Sequence, residues 1–204
     1  MNKINLKNKF SISESLLYFE GTIIPFEEIE FCKCIGIGAN GIVFEAKDIN
    51  LDRKIAVKFW NNRGRSDFKK AQNEAKKLAS VDHPYFAKIF SSGVKSGLFY
   101  ITMEFVNGVN LKEYLFKEPI TILQRFGLYW RYSNALDAIY KNEILHGDPH
   151  TGNVMVYESS FQTPKPISSK NSYPDALPIN LGFKVLDLGS SSFWEDREKF
   201  TTLD

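Results

Sequence analysis

The sequence predicts an α+β fold in two unequal parts, on three observations. Residues 28–60 and 85–105 read as strands, one amphipathic helical stretch lies between them, and from Thr121 onward the apolar spacing turns helical. With 204 residues, 43% of them hydrophobic and 25% charged, the chain is ordinary globular material with enough apolar side chains for a core.

Each element has its own signal. Ile29–Ile35, Gly41–Ala46 and Lys54–Trp60 are rich in β-branched and aromatic residues, with a polar turn at Asp48–Asp52 between the last two, so three antiparallel strands are expected. Between Ser66 and Val81, Phe68, Ala71, Ala75 and Leu78 recur at spacings of three and four among Lys, Gln and Glu, which predicts a helix ended by His83-Pro84. Tyr85–Phe90 and Gly97–Phe105 follow as strand-like runs, separated by a turn at Ser91-Ser92-Gly93, and this five-strand, one-helix unit ends near Val106. Thr121–Asn142 places Leu123, Phe126, Tyr129, Leu136 and Ile139 at helical spacing. Between Glu158 and Ile179, Pro164, Pro166, Pro174 and Pro178 are interleaved with Ser, Lys and Asn, which predicts an inserted, exposed loop over about 158–179. Leu181–Leu188 is a last short strand-like run.

Composition narrows the function classes. A net charge of +2 is too balanced for a protein held on nucleic acid by bulk charge. Basic residues near Met1 have no apolar stretch behind them, and no apolar run approaches the roughly 18 residues of a membrane helix, so neither a nucleic-acid nor a membrane partner is expected. Cys32 and Cys34, one residue apart, form no disulfide framework and fit a reducing compartment, so a cytoplasmic location is expected.

Four motifs carry chemistry. Gly36-Ile-Gly38-Ala-Asn40-Gly41-Ile-Val43 lets backbone N–H groups approach phosphates; because Ile42–Ala46 reads as a strand rather than a helix, it suits a strand-loop-strand lid better than a dinucleotide fingerprint. Its alternative is a glycine-rich hairpin without a ligand. Ala56-Val57-Lys58 sets an ammonium on a strand where it can neutralise phosphates, and Glu74, on the helix face shared with Leu78, can pair with it. Either side chain could instead be solvated. Met103-Glu104-Phe105-Val106 runs from an apolar strand into a connection where backbone groups of Glu104 and Val106 can meet an adenine lying between Val43, Ala56 and Met103. In His146-Gly147-Asp148-Pro149-His150-Thr151-Gly152-Asn153, Asp148 suits the acceptance of a proton from an attacking hydroxyl, and Asn153 with Asp187 of Asp-Leu-Gly189 suits magnesium.

In this order the motifs resemble the protein-kinase-like superfamily over Ile29 to Gly189. The resemblance implies a two-lobed fold: residues 1–28 an N-terminal extension, 29–106 an N-lobe with a five-stranded antiparallel sheet and one helix, and 107–204 a helical, incomplete C-lobe. It implies ATP and Mg2+ as cofactors. By the same likeness Lys58, Glu74 and Asp148 are catalytic; Ile35, Gly36, Gly38, Asn40, Gly41, Val43, Ala56, Lys58, Met103, Glu104 and Val106 surround the nucleotide; and Asn153 and Asp187 hold the metal.

Three departures qualify the likeness. Gly147 stands where regulated protein kinases carry Arg, removing the route by which a phosphorylated loop acts on the catalytic loop. His150 replaces the usual Lys, and the resulting His-Gly-Asp-x-His-x-x-Asn pattern is similar to aminoglycoside and choline kinases. Few residues follow Gly189, where a protein kinase continues through several helices. The expected function is therefore an ATP-dependent Ser/Thr-type protein kinase acting on a protein substrate. Its alternatives are a phosphotransferase for a small hydroxylated molecule and a non-catalytic nucleotide-binding module, with a partner chain completing the C-lobe.

Overall fold

The computed structural model describes residues 9–38, 41–60, 65–117, 120–145, 150–158, 181–186 and 192–193. They fall into two compact units, one of residues 1–79 with 88–105 and the other of residues 80–87 with 106–204.

The first unit opens with a meander the sequence analysis did not anticipate: β1 (Phe10–Ser13), β2 (Leu16–Phe19) and β3 (Thr22–Ile23), paired antiparallel in that order. Its turns, Glu14-Ser15 and Glu20-Gly21, have positive φ at both residues, the geometry that matches strand twist in two-residue hairpins. β4 (Ile29–Ile37), β5 (Gly41–Asp48) and β6 (Arg53–Trp60) follow, then helix α1 (Arg65–Ser80), β7 (Ile89–Lys95) and β8 (Leu98–Glu104). The five strands form the one antiparallel sheet that the sequence predicts, in the order β4-β5-β6-β8-β7.

The predicted hairpin register is corrected. Ser91, Ser92 and Gly93 lie inside β7, opposite Thr102, Ile101 and Tyr100, and the turn is Ser96-Gly97, with φ of 49° and 75°. Tyr85 and Phe86 are not part of β7. Phe86 bridges Val185 in parallel, Val185 N–H donates to Tyr85 O at 2.7 Å, and both groups lie in the second unit. A run of apolar letters carries no information about which sheet will pair it.

Both faces of the five-stranded sheet are covered. Ile42, Phe44, Ala46, Ile55, Val57, Phe59 and Leu98 lie on one side and are capped by Phe10, Leu17 and Ile24 of the meander segment. Phe10 sits 5.5 Å, centroid to centroid, from both Phe44 and Phe59. On the other side, Ala56, Trp60, Phe99, Ile101 and Met103 pack against Ala71 and Ala75 of α1. The alternation along β6 and β8 is the period of two that strand geometry imposes.

The second unit contains β9 (Val109–Asn110), α2 (Leu111–Lys117), α3 (Ile122–Lys141), β10 (Ile144–Leu145), β11 (Val154–Glu158), β12 (Leu181–Val185) and β13 (Ser192–Phe193). α3 matches its predicted span within one residue at each end. Thr121 caps it through a reciprocal box with Gln124, the hydroxyl accepting from Gln124 N at 3.2 Å and the Gln124 side chain accepting from Thr121 N at 2.7 Å. Its buried stripe is Leu128, Ala135 and Ile139, whereas Phe126 and Tyr129 of the expected apolar set are exposed. α2 was not predicted, although Asn110 carries the signal, accepting from Glu113 N at 2.8 Å. Besides these helices, the unit holds a three-stranded sheet, β12-β11-β9, and the pair β10-β13. The expected loop at 158–179 lies outside the described residues, apart from Glu158 at the end of β11. Among the described residues, no helix is long and apolar enough to cross a membrane.

Candidate functional site

In the first unit, the β5-β6-β8 ladder gathers the predicted nucleotide residues. Val43 lies opposite Lys58 and Ala56 opposite Met103, so all four share the sheet face that α1 covers. α1 turns its buried face, Ala71, Ala75 and Leu78, to the core. Glu74, three residues from Ala71 and four from Leu78, therefore points the same way.

Lys58 Nζ donates to Glu74 Oε1 at 2.8 Å, and the two side chains are only 10% and 12% exposed. An ion pair so removed from water is held only when its remaining hydrogen-bonding capacity is also met. Glu74 Oε2 accepts from the Trp60 indole Nε1–H at 3.1 Å. That residue was not singled out from the sequence; its only signal was its place two residues after Lys58 on the same strand face.

The glycine motif forms the expected strand-loop-strand, since β5 and not a helix follows Gly41. Gly38 N–H donates to Gly41 O at 2.9 Å and closes the loop. The glycines differ in kind. A Cβ at Gly41 would stand 2.1 Å from Phe59 O, so the close strand pairing itself demands glycine there. A Cβ at Gly38 would meet nothing within 4 Å, so no described neighbour demands glycine there. Ile35 is the extra residue of a bulge between the Cys34 and Gly36 pairings and is exposed, as is Ile37. Asn40 lies outside the described residues.

Glu104 ends β8. Its N–H donates to Lys88 O at 2.8 Å, and its carboxylate accepts from Lys88 N at 3.2 Å, which ties the strand end to the start of β7. Val106 opens the second unit's share of the connection, its carbonyl accepting from Gly108 N at 3.0 Å.

In the second unit, Asn153 ends a single 3-10 turn, Thr151–Asn153. His150 precedes that turn, and its Nδ1 accepts from Gly152 N at 3.0 Å, a capping role the sequence reading did not assign. Asn153 O accepts from Leu186 N at 2.9 Å, and the β11-β12 ladder pairs Val154 with Val185. Asn153 is thus fixed beside Leu186, whose chain neighbour is Asp187. Asp148 and Asp187 themselves lie outside the described residues.

A second charged group shares the face of Lys58. Glu45, opposite Ala56, is buried and accepts from Lys54 Nζ at 2.9 Å, with Lys33 Nζ 3.4 Å away. The Lys54 hydrogen bond holds its carboxyl below the usual carboxylate value, against the opposing effect of burial.

A glycine-bearing strand-loop-strand followed by a strand lysine paired with a helix glutamate is the arrangement of the protein-kinase-like fold. The protein kinase domain family matches residues 29–204, and the chain belongs to it. It is 29% identical over 146 residues to the serine/threonine-protein kinase PrkC of Bacillus subtilis (strain 168), covering 66% of this chain and 22% of that protein. It is 29% identical over 138 residues to the serine/threonine-protein kinase PknB of Mycobacterium tuberculosis (strain ATCC 25618 / H37Rv), covering 64% and 22%. The probable serine/threonine-protein kinase YbdM of B. subtilis is 26% identical over 129 residues, covering 61% and 50%. The chain spans 22% to 50% of the length of these curated relatives.

Proposed function

We infer that the chain is the ATP-binding and phosphotransfer part of a Ser/Thr-type protein kinase, moving the γ-phosphate of ATP to a protein hydroxyl. The observation that carries the reading is the nearly buried Lys58–Glu74 pair, 2.8 Å apart, on the sheet face that also presents Val43, Ala56 and Met103. A pair desolvated to that degree adds little stability of its own, and an aimed ammonium on the face that carries Val43, Ala56 and Met103 suits a purine with a phosphate tail. The names of the similar proteins, serine/threonine-protein kinases throughout, support the acceptor class.

In this reading Lys58 meets the α- and β-phosphates, held in place by Glu74. The backbone of the loop from Gly36 to Gly41 covers the phosphates, with Ile35 and Val43 on the adenine and Asn40 a further nucleotide contact. Glu104 and Val106 offer backbone groups to its edge. Asp148 orients the acceptor hydroxyl and takes its proton, and Asn153 with Asp187 supplies hard oxygen ligands. Magnesium, when bound, neutralises charge that develops on the transferred group.

Thermal unfolding with and without Mg-ATP tests the site. A ligand at about 100 times its Kd adds roughly 2.7 kcal/mol, and Lys58→Ala or Asp187→Ala should abolish that gain. Transfer of labelled γ-phosphate to casein, lost in Asp148→Asn, is the expected result. Transfer only to amino-sugars or choline would move the assignment to the small-molecule kinases that the Gly147 and His150 pattern resembles. A folded protein that Mg-ATP does not stabilise would sink independent nucleotide binding.

A further inference from the structure

Among the described residues, Glu74 and Trp60 both grip Lys58, and the second is the less expected. Trp60 stands two residues along β6 on the same face, and its ring centroid lies 4.4 Å from Lys58 Nζ. The same indole donates Nε1–H to Glu74 Oε2 at 3.1 Å, while Lys58 donates to Oε1 at 2.8 Å. Ammonium, carboxylate and indole close a triangle in which every pair is in attractive contact. Trp60 is 6% exposed. Its ring packs on Phe99 of β8 at 5.3 Å, and Phe99 packs on Phe68 of α1 at 5.4 Å.

A glutamate held through one oxygen can still swing, because the terminal torsion of its side chain is broad. Donors on both oxygens fix the plane of the carboxylate. The indole also occupies one side of the ammonium with its electron-rich face, an attraction strengthened away from water. Two of the directions around Nζ are then set by Glu74 and Trp60, which narrows the direction in which Lys58 can meet an anion. A leucine or phenylalanine would keep the position apolar. Only the indole N–H addresses the carboxylate.

We propose that Trp60 is a positioning residue of the phosphotransfer site, one that orients Glu74 and through it aims Lys58. The proposal rests on the reading above for the identity of the anion and on the triangle for everything else.

Trp60→Phe keeps an aromatic face and removes the N–H. The first measurement needs no nucleotide: the coupling between Lys58→Met and Glu74→Gln, from a double-mutant cycle in urea, is compared in the wild-type and Trp60→Phe backgrounds. Coupling should fall at least about twofold without the indole N–H; equal coupling overturns the proposal. The second measurement is the Kd for Mg-ATP. Trp60→Phe should raise it about tenfold, and adding Trp60→Phe to Glu74→Gln should change nothing further. Additive losses would make Trp60 merely structural and end the proposal. If the wild type binds no nucleotide, the functional reading fails and the urea cycle alone decides the role of Trp60. Should Trp60→Phe not fold, the indole Nε1–H resonance takes its place: it should move and exchange faster in Glu74→Gln, and an unmoved resonance refutes the contact.

Discussion

The two faces of the five-stranded sheet are built from the same strands and differ in what they bury. Beneath the meander segment the sheet presents Ile42, Phe44, Ile55, Val57, Phe59 and Leu98, and the buried polar group on that side, Thr102, shares a hydrogen bond with Ser91 at 2.8 Å. On the opposite face the same alternation brings in Glu45 and Lys58, each with a partner of opposite charge. One face follows the rule that interiors are apolar and close-packed. The other departs from it at charged pairs, one of them the pair proposed to serve the nucleotide, and functional sites are the expected place for such departures.

Four measurements would break or sharpen that contrast. Phe59→Ala, at a side chain with 0% exposure that has five aromatic neighbours, should cost about 3–5 kcal/mol in urea unfolding. A cost below about 1 kcal/mol would mean that this face is loosely packed. Lys58→Met alone leaves the Glu74 carboxylate without its cation and should cost about 3 kcal/mol, while Lys58→Met with Glu74→Leu should return stability to near the wild-type value. Mg-ATP should stabilise neither variant. A double variant as unstable as the single one would show that the pair is kept for stability rather than for use. Thr102→Val, which removes the hydroxyl partner of Ser91 on the apolar face, should cost about 1 kcal/mol.

Glu45→Gln should have the smallest effect, and that effect depends on pH. The folded carboxyl titrates below its ordinary 4.5 because Lys54 bonds to it. Its contribution is therefore complete above the unfolded value and disappears as pH falls through the lower folded one. Wild type and variant should differ by a constant amount near neutrality and converge in acid, as followed by urea midpoints between about pH 3 and 7. Parallel curves throughout would show that Glu45 is not held by its lysines.

Much of this was legible in the sequence, for identifiable reasons. The spacing of Phe68, Ala71 and Ala75 placed α1 and turned Glu74 inward, and strand alternation put Val43, Ala56, Lys58 and Met103 on one face. Local signals failed where pairing partners decide. The turn at Ser91-Ser92-Gly93 was plausible by composition, yet the hairpin closes at Ser96-Gly97, where both residues take positive φ. Glu14-Ser15 closes a similar turn without a glycine, so the first turn of the meander gave no composition cue. Trp60 looked like one more β-strand aromatic, because nothing in one dimension says that an indole will face a carboxylate from α1. His150 was weighed as a substitute for lysine, whereas its ring caps the turn that holds Asn153.

The meander has a consequence for how the protein is made. Phe10, Leu17 and Ile24 leave the ribosome early, but the cluster that covers them includes Phe59 and Leu98. β8 lies between β6 and β7, so the sheet cannot close until the chain has been synthesised past Glu104. A nascent chain stalled before that point holds an open layer of phenylalanines, the kind of surface chaperones exist to shield. Strands translated ahead of the sheet wait for its last strand before they are buried.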